Sequence, residues 1–113
     1  NNTQEAMLPP NHLYSANVHN KTDKDVSVTV HYSSPDKNDS KTETIKAGAS
    51  HLFPEVTYQA SESHTNIVPV QKIVVKSDSN DAEHTHNVTV QGVNRVKDFH
   101  VTGGDNGLSV SQQ

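Results

Sequence analysis

The chain has 113 residues, enough for one domain of ordinary size and too few for two. Its net charge is −4 and its nine Lys and Arg are spread out, which excludes a clustered basic footprint for nucleic acid. No apolar run approaches the roughly 18 residues that span a bilayer, and the absence of cysteine excludes disulfides, thiolate zinc sites and cysteine nucleophiles.

Residues 1–11 are polar, aperiodic and contain Pro9-Pro10, which predicts a flexible N-terminal arm. From His12 to His19, Leu13, Tyr14, Ala16 and Val18 predict a first strand, closed by the turn-forming Asn20-Lys21-Thr22-Asp23. The clearest strand follows. Val26, Val28, Val30 and Tyr32 fall on one face and Ser27, Thr29 and His31 on the other, so one side is core and one is wet. A polar loop over 33–40 leads to a return strand over 41–46 near a sheet edge, and Ala47-Gly48-Ala49 breaks the chain.

Leu52-Phe53, then Val56, Tyr58 and Ala60 around Pro54, predict one or two short strands, with loop over 61–66. Segment 67–76 is the most apolar, and its apolar residues on both parities predict a strand buried on both faces or shifted by a bulge near Pro69. An acidic turn over 77–83 precedes a strand running from His84 to Val93. Strands over 96–101 and 108–110 close the chain around a Gly-Asp-Asn-Gly turn.

Only 30% of residues are hydrophobic, but the valines stand in alternating clusters, which predicts a folded domain with a thin core. About seven to nine short strands without helical periodicity predict an all-β fold over 12–113 as a single domain. The expected architecture is an antiparallel β-sandwich, immunoglobulin-like or jelly-roll-like, with a small barrel as the alternative.

Eight histidines stand out. His84 and His86, two apart on one strand, project to the same side, and a third ligand such as His100 or His31 would complete a divalent-metal site for Zn or Cu, with Asp78, Asp81 or Glu83 supplying an oxygen. The plainer alternative is polar residues at the frayed start of a strand. By parity His84 and His86 share the core-facing side with Val88 and Val90, which places them at the rim of a sandwich, and Asn87 and Thr89 on the wet side. Asn-x-Ser/Thr sequons occur at Asn1, Asn20, Asn38 and Asn87, the first on the arm, the next two in expected loops and the last on an exposed face. None needs burial.

No nucleophile elbow, phosphate loop, dinucleotide fingerprint or HExxH occurs. The expected function is therefore a non-enzymatic binding module, extracellular or on the cell surface, that contacts a protein or glycan partner through loops or a sheet edge. The alternatives are a metal-binding protein using His84 and His86, and a structural or adhesive domain cut from a longer chain.

Overall fold

A computed structural model describes residues 11–34, 38–77, 83–104 and 107–113, with only the backbone of Asn38, Ala60, His64 and Gly104. The arm lies outside the described residues, except for Asn11, whose Oδ1 accepts the Gly92 N–H at 2.9 Å. The described residues form ten strands and no helix: β1 His12–Asn20, β2 Val26–Ser33, β3 Asn38–Ile45, β4 Ser50–Phe53, β5 Val56–Ser61, β6 His64–Val68, β7 Val70–Ser77, β8 Glu83–Asn87, β9 Val93–Gly104 and β10 Gly107–Gln112. None of them is a helix long and apolar enough to cross a membrane.

Two four-stranded sheets face each other. Sheet A has the order β10-β9-β1-β4 and sheet B the order β3-β2-β7-β8, while β5 and β6 make a separate hairpin. The fold is all-β and antiparallel-dominated, with one parallel pair, β1 on β9. The core lies between the sheets, with Leu13, Ala16, Val18, Phe53, Phe99 and Val101 from sheet A against Val26, Val28, Val30, Tyr32, Ile73 and Val75 from sheet B.

Strand β2 follows its sequence pattern, alternating buried valines with half-exposed Ser27, Thr29 and His31. In β7 the register slips one residue opposite His31 and Tyr32, so Gln71 is passed over and Val70, of the other parity, joins Ile73 and Val75 on the core face. That bulge sits two residues after Pro69, the single residue that separates β6 from β7. Strand β3 is an edge. Ile45 pairs with Val26 and is buried, but Glu43 and Lys41 stand opposite Val28 and Val30 and are exposed, since the four-residue β4 covers little of β3. Charges on the core-facing side of an edge strand discourage further pairing.

Two departures from the sequence reading concern turns. Segment 61–66 is not a loop: β6 starts at His64 and pairs back on β5 through a two-residue turn at Glu62 and Ser63. Strand β8 ends at Asn87, short of the expected Val93; Val88 and Val90 still pack against the core, but from a segment without strand pairing.

Hydrogen bonds tie the sheets where the valines cannot. The Tyr32 hydroxyl donates to the Pro54 carbonyl at 2.7 Å, linking the end of β2 to the residue after β4. Burial pushes this phenol up to about 12.

The alternation in β2 predicts unequal tolerance at neighbouring positions. Val28→Asp should leave the domain unfolded without denaturant, because it buries a carboxylate on the same face as Glu43. Thr29→Asp loses a 2.8 Å bond to Thr42 on the outer face and should cost about 1 kcal/mol or less in a urea titration. Tyr32 predicts an alkaline transition. A phenol whose folded value lies above its unfolded value of about 10 lends stability that is complete below pH ~10 and lost as pH rises toward ~12. Urea midpoints should hold to about pH 10 and then fall by the equivalent of roughly 2 kcal/mol; Tyr32→Phe should be weaker by about 1 kcal/mol at neutral pH and lack that fall.

Candidate functional site

Three polar constellations emerge, and only one was marked by the sequence. The first is a cleft of ≈ 530 Å³ at one end of the sandwich. Because β4 pairs only with Ala16 to His19, no described strand pairs with the first half of β1 on that side. The β5–β6 hairpin stands there instead. His12 and Tyr14 of β1 line one wall, with their rings edge to face at 6.0 Å, and Tyr58, Thr65 and Asn66 line the other; Ser33 and Pro69 also border the space. Among the described residues, Asp, Glu, Lys and Arg are absent from the lining. A concave, uncharged space with two tyrosines and several amide and hydroxyl groups is chemically suited to a neutral ligand with both apolar and hydroxyl-bearing surfaces.

The second lies on the outer face of sheet A, where His19 is the hub. Its Nε2 is 2.9 Å from Asp98 Oδ1 and its Nδ1 is 2.6 Å from Ser50 Oγ, while Asn17 Nδ2 donates to the same Asp98 oxygen at 3.0 Å. His100 packs edge to face on His19 at 5.2 Å. Register explains the cluster: Ser50, His19 and His100 are cross-strand neighbours, as are Asn17 and Asp98. The hydrogen bonds from His19 and Asn17 hold the exposed Asp98 carboxyl below the usual carboxylate range. This chain of groups fixes a polar patch on an open strand surface.

The third is the histidine pair in β8. His84 and His86 stand opposite Val75 and Ile73, both buried, so they face inward as parity required. The His86 ring meets Phe99 of the opposite sheet edge to face at 5.8 Å. Burial lowers the His86 value, and the neighbouring His84 lowers it further. His100 does not join them. It alternates with the buried Phe99 and Val101, so it faces out of sheet A while His84 and His86 face in from sheet B. His31, the other third-ligand candidate, lies on the outer face of sheet B between Ser40 and Lys72. Asp78 and Asp81 lie outside the described residues, and Glu83 is exposed. Among the described residues no group of three His, Asp or Glu side chains is placed to hold a metal ion.

The sequons divide. Asn87 is exposed at the end of β8. Asn38 opens β3, but its side chain lies outside the described residues, as does Asn1 altogether. Asn20, expected in a loop, is instead the fully buried last residue of β1. Its Nδ2, the atom a glycan would occupy, donates to Lys24 O and Ile45 O, both at 2.8 Å. Its Oδ1 accepts the Thr22 N–H at 2.9 Å and the Thr22 hydroxyl at 2.7 Å. Both residues of that sequon thus serve an internal turn, and the folded domain has no room for a glycan there.

No family model matches the chain, and no curated protein matches it either.

The Asn20 network predicts a large loss from a small change. Asn20→Ala removes four hydrogen bonds and strands the buried Ile45 carbonyl, so it should cost about 3 kcal/mol in chemical denaturation. Asn87→Gln, at an exposed strand end, should stay within about 0.5 kcal/mol of the parent.

Proposed function

We propose that this domain is a non-enzymatic binding module, acting outside the cell, whose cleft between β1 and the β5–β6 hairpin takes a neutral glycan. The observation that carries the reading is the lining itself: Tyr14 and Tyr58 with His12, Asn66, Thr65 and Ser33, and no Asp, Glu, Lys or Arg among the described residues. Sugar rings offer apolar C–H faces, which pack on aromatic rings, and hydroxyls, which pair with amides and hydroxyl groups. A charged glycan or an acidic peptide would leave its charge unpaired in such a cleft. The volume falls within the roughly 300–1,000 Å³ of small-ligand sites. The exposed sequon at Asn87 suits an extracellular setting.

The cleft rests on ordered walls. Tyr58 packs in part against the core, and the cleft residue Val68 is buried, so the hairpin holds its shape through the same apolar contacts as the sandwich. Tyr14 follows the buried Leu13 on β1, which fixes its backbone. A preformed site of this kind spends little of its binding energy on ordering.

An array of neutral and anionic oligosaccharides probed with the full chain tests this. Binding should be confined to neutral glycans, and Tyr14→Ala and Asn66→Ala should each weaken it about tenfold or more, equivalent to about 1.4 kcal/mol, while His31→Ala on the outer face of sheet B leaves it unchanged. Failure to bind any neutral oligosaccharide, or binding indifferent to both cleft substitutions, refutes the proposal.

A further inference from the structure

We propose that the seam between β8 and β10 is a divalent-cation site, in which His84 and His86 supply imidazole nitrogens and Gln112 a carboxamide oxygen. Strands β8 and β10 are the edges of sheets B and A on the same side of the sandwich, and they lie against each other there. His86 and Gln112 are both neighbours of Phe99. Gln112 stands opposite it in the β9–β10 ladder, and His86 packs on its edge.

The decisive feature is a pair of orphaned polar atoms. Among the described residues, His86 Nε2 and Gln112 Oε1 are both shut off from solvent and have no hydrogen-bond partner. Buried polar groups are almost always paired, and each one that is not calls for an explanation, of which a bound water or ion is one. With the imidazole proton on Nδ1, both atoms present lone pairs, and two acceptors cannot satisfy each other. A cation satisfies both. His84, two residues along the strand and on the same side, adds a second imidazole, and its partial exposure leaves an entry path. Ile73 and Val75, opposite the two histidines, are apolar and offer no competing donor. Two imidazoles and a neutral oxygen suit borderline cations, and the order of affinity for such donors puts Cu(II) ahead of Ni(II) and Zn(II). Water would fill the remaining positions. Gln112 thereby takes the place that the sequence reading gave to His100.

Titration of the full chain with CuSO4 or ZnCl2 near neutral pH, followed by calorimetry and thermal melting, tests the assignment. One equivalent should bind, Cu(II) more tightly than Zn(II), with a melting temperature raised by about 3 °C or more. His86→Phe should abolish the effect, Gln112→Leu should weaken binding about tenfold, and the double substitution His19→Asn with His100→Asn should leave it intact. Should His86→Phe fail to fold, ring-nitrogen spectra of the parent protein decide: Zn(II) should shift His84 and His86 and leave His19 and His100 in place. No melting shift with either metal means the seam holds water only and overturns the site. So does binding that survives His86→Phe, binding as tight in Gln112→Leu as in the parent, or ring shifts confined to His19 and His100.

Discussion

The alignment of the two sheets depends on the carboxamide of Asn20. It closes β1 in sheet A, yet its Nδ2 reaches the last carbonyl of β3 in sheet B and the Lys24 carbonyl that leads into β2. Its backbone joins the same knot: the Asn20 N–H donates to Ala49 O, and its carbonyl accepts the Gly48 N–H. Gly48, at φ 80, supplies the left-handed turn that brings those groups round. A core built largely of valine gives cohesion without direction, since apolar burial is indifferent to a two-residue slip that keeps the same face inward. A fully buried side-chain amide with four hydrogen bonds is not indifferent. Every slip strands several polar groups at about 1–3 kcal/mol each, so Asn20 and Tyr32 select the register that the valines only permit.

How far the sequence disclosed this fold follows from which signals are local. The faces of Val26 to Tyr32 and of His84 to Val90 were legible because parity is a property of the strand itself. The β5–β6 hairpin was not. Its turn is Glu62-Ser63, without the Gly or Asn that marks a left-handed hairpin turn, and no described residue other than glycine has positive φ. A register shift between Gln59 and Ser61 accompanies that turn, and such a shift has no residue signature. Asn20 was misplaced for a related reason. Asn-Lys-Thr-Asp is a sound turn signal, but whether the first residue of a turn points to water or inward is decided by Ile45, twenty-five positions away.

The candidate sites were legible in proportion to their locality as well. His84 and His86 are neighbours on one strand, and their common face was readable. His100 was linked to them by residue type alone, and a third position on another strand has a facing fixed by its own neighbours, Phe99 and Val101. Gln112 carried no signal at all, because a glutamine near a chain end reads as solvent-exposed until β10 is paired and its partner is known to be Phe99. The cleft walls come from residues 12–14 and 65–66, which only tertiary structure brings together.

With 4% aromatic residues, the domain uses imidazole where other sandwiches use larger rings. His51 packs edge to face on Phe53 at 4.8 Å on β4, at one edge of sheet A, and His86 does the same to Phe99 from β8, at the other side of the sandwich. An imidazole at a rim has an apolar body for the core and polar nitrogens for whatever lies beyond it. The shortness of the edge strands then decides what that is. Strand β4 ends before it can cover the start of β1, and the gap becomes the cleft; β8 ends at Asn87, and the seam beside β10 retains two polar atoms that the ladder does not satisfy. In a thin sandwich, truncated pairing removes backbone partners and leaves concave, partly polar space, and concave space with fixed polar groups is where ligands bind. The same economy that leaves this core thin therefore creates the two places on which the proposed binding rests.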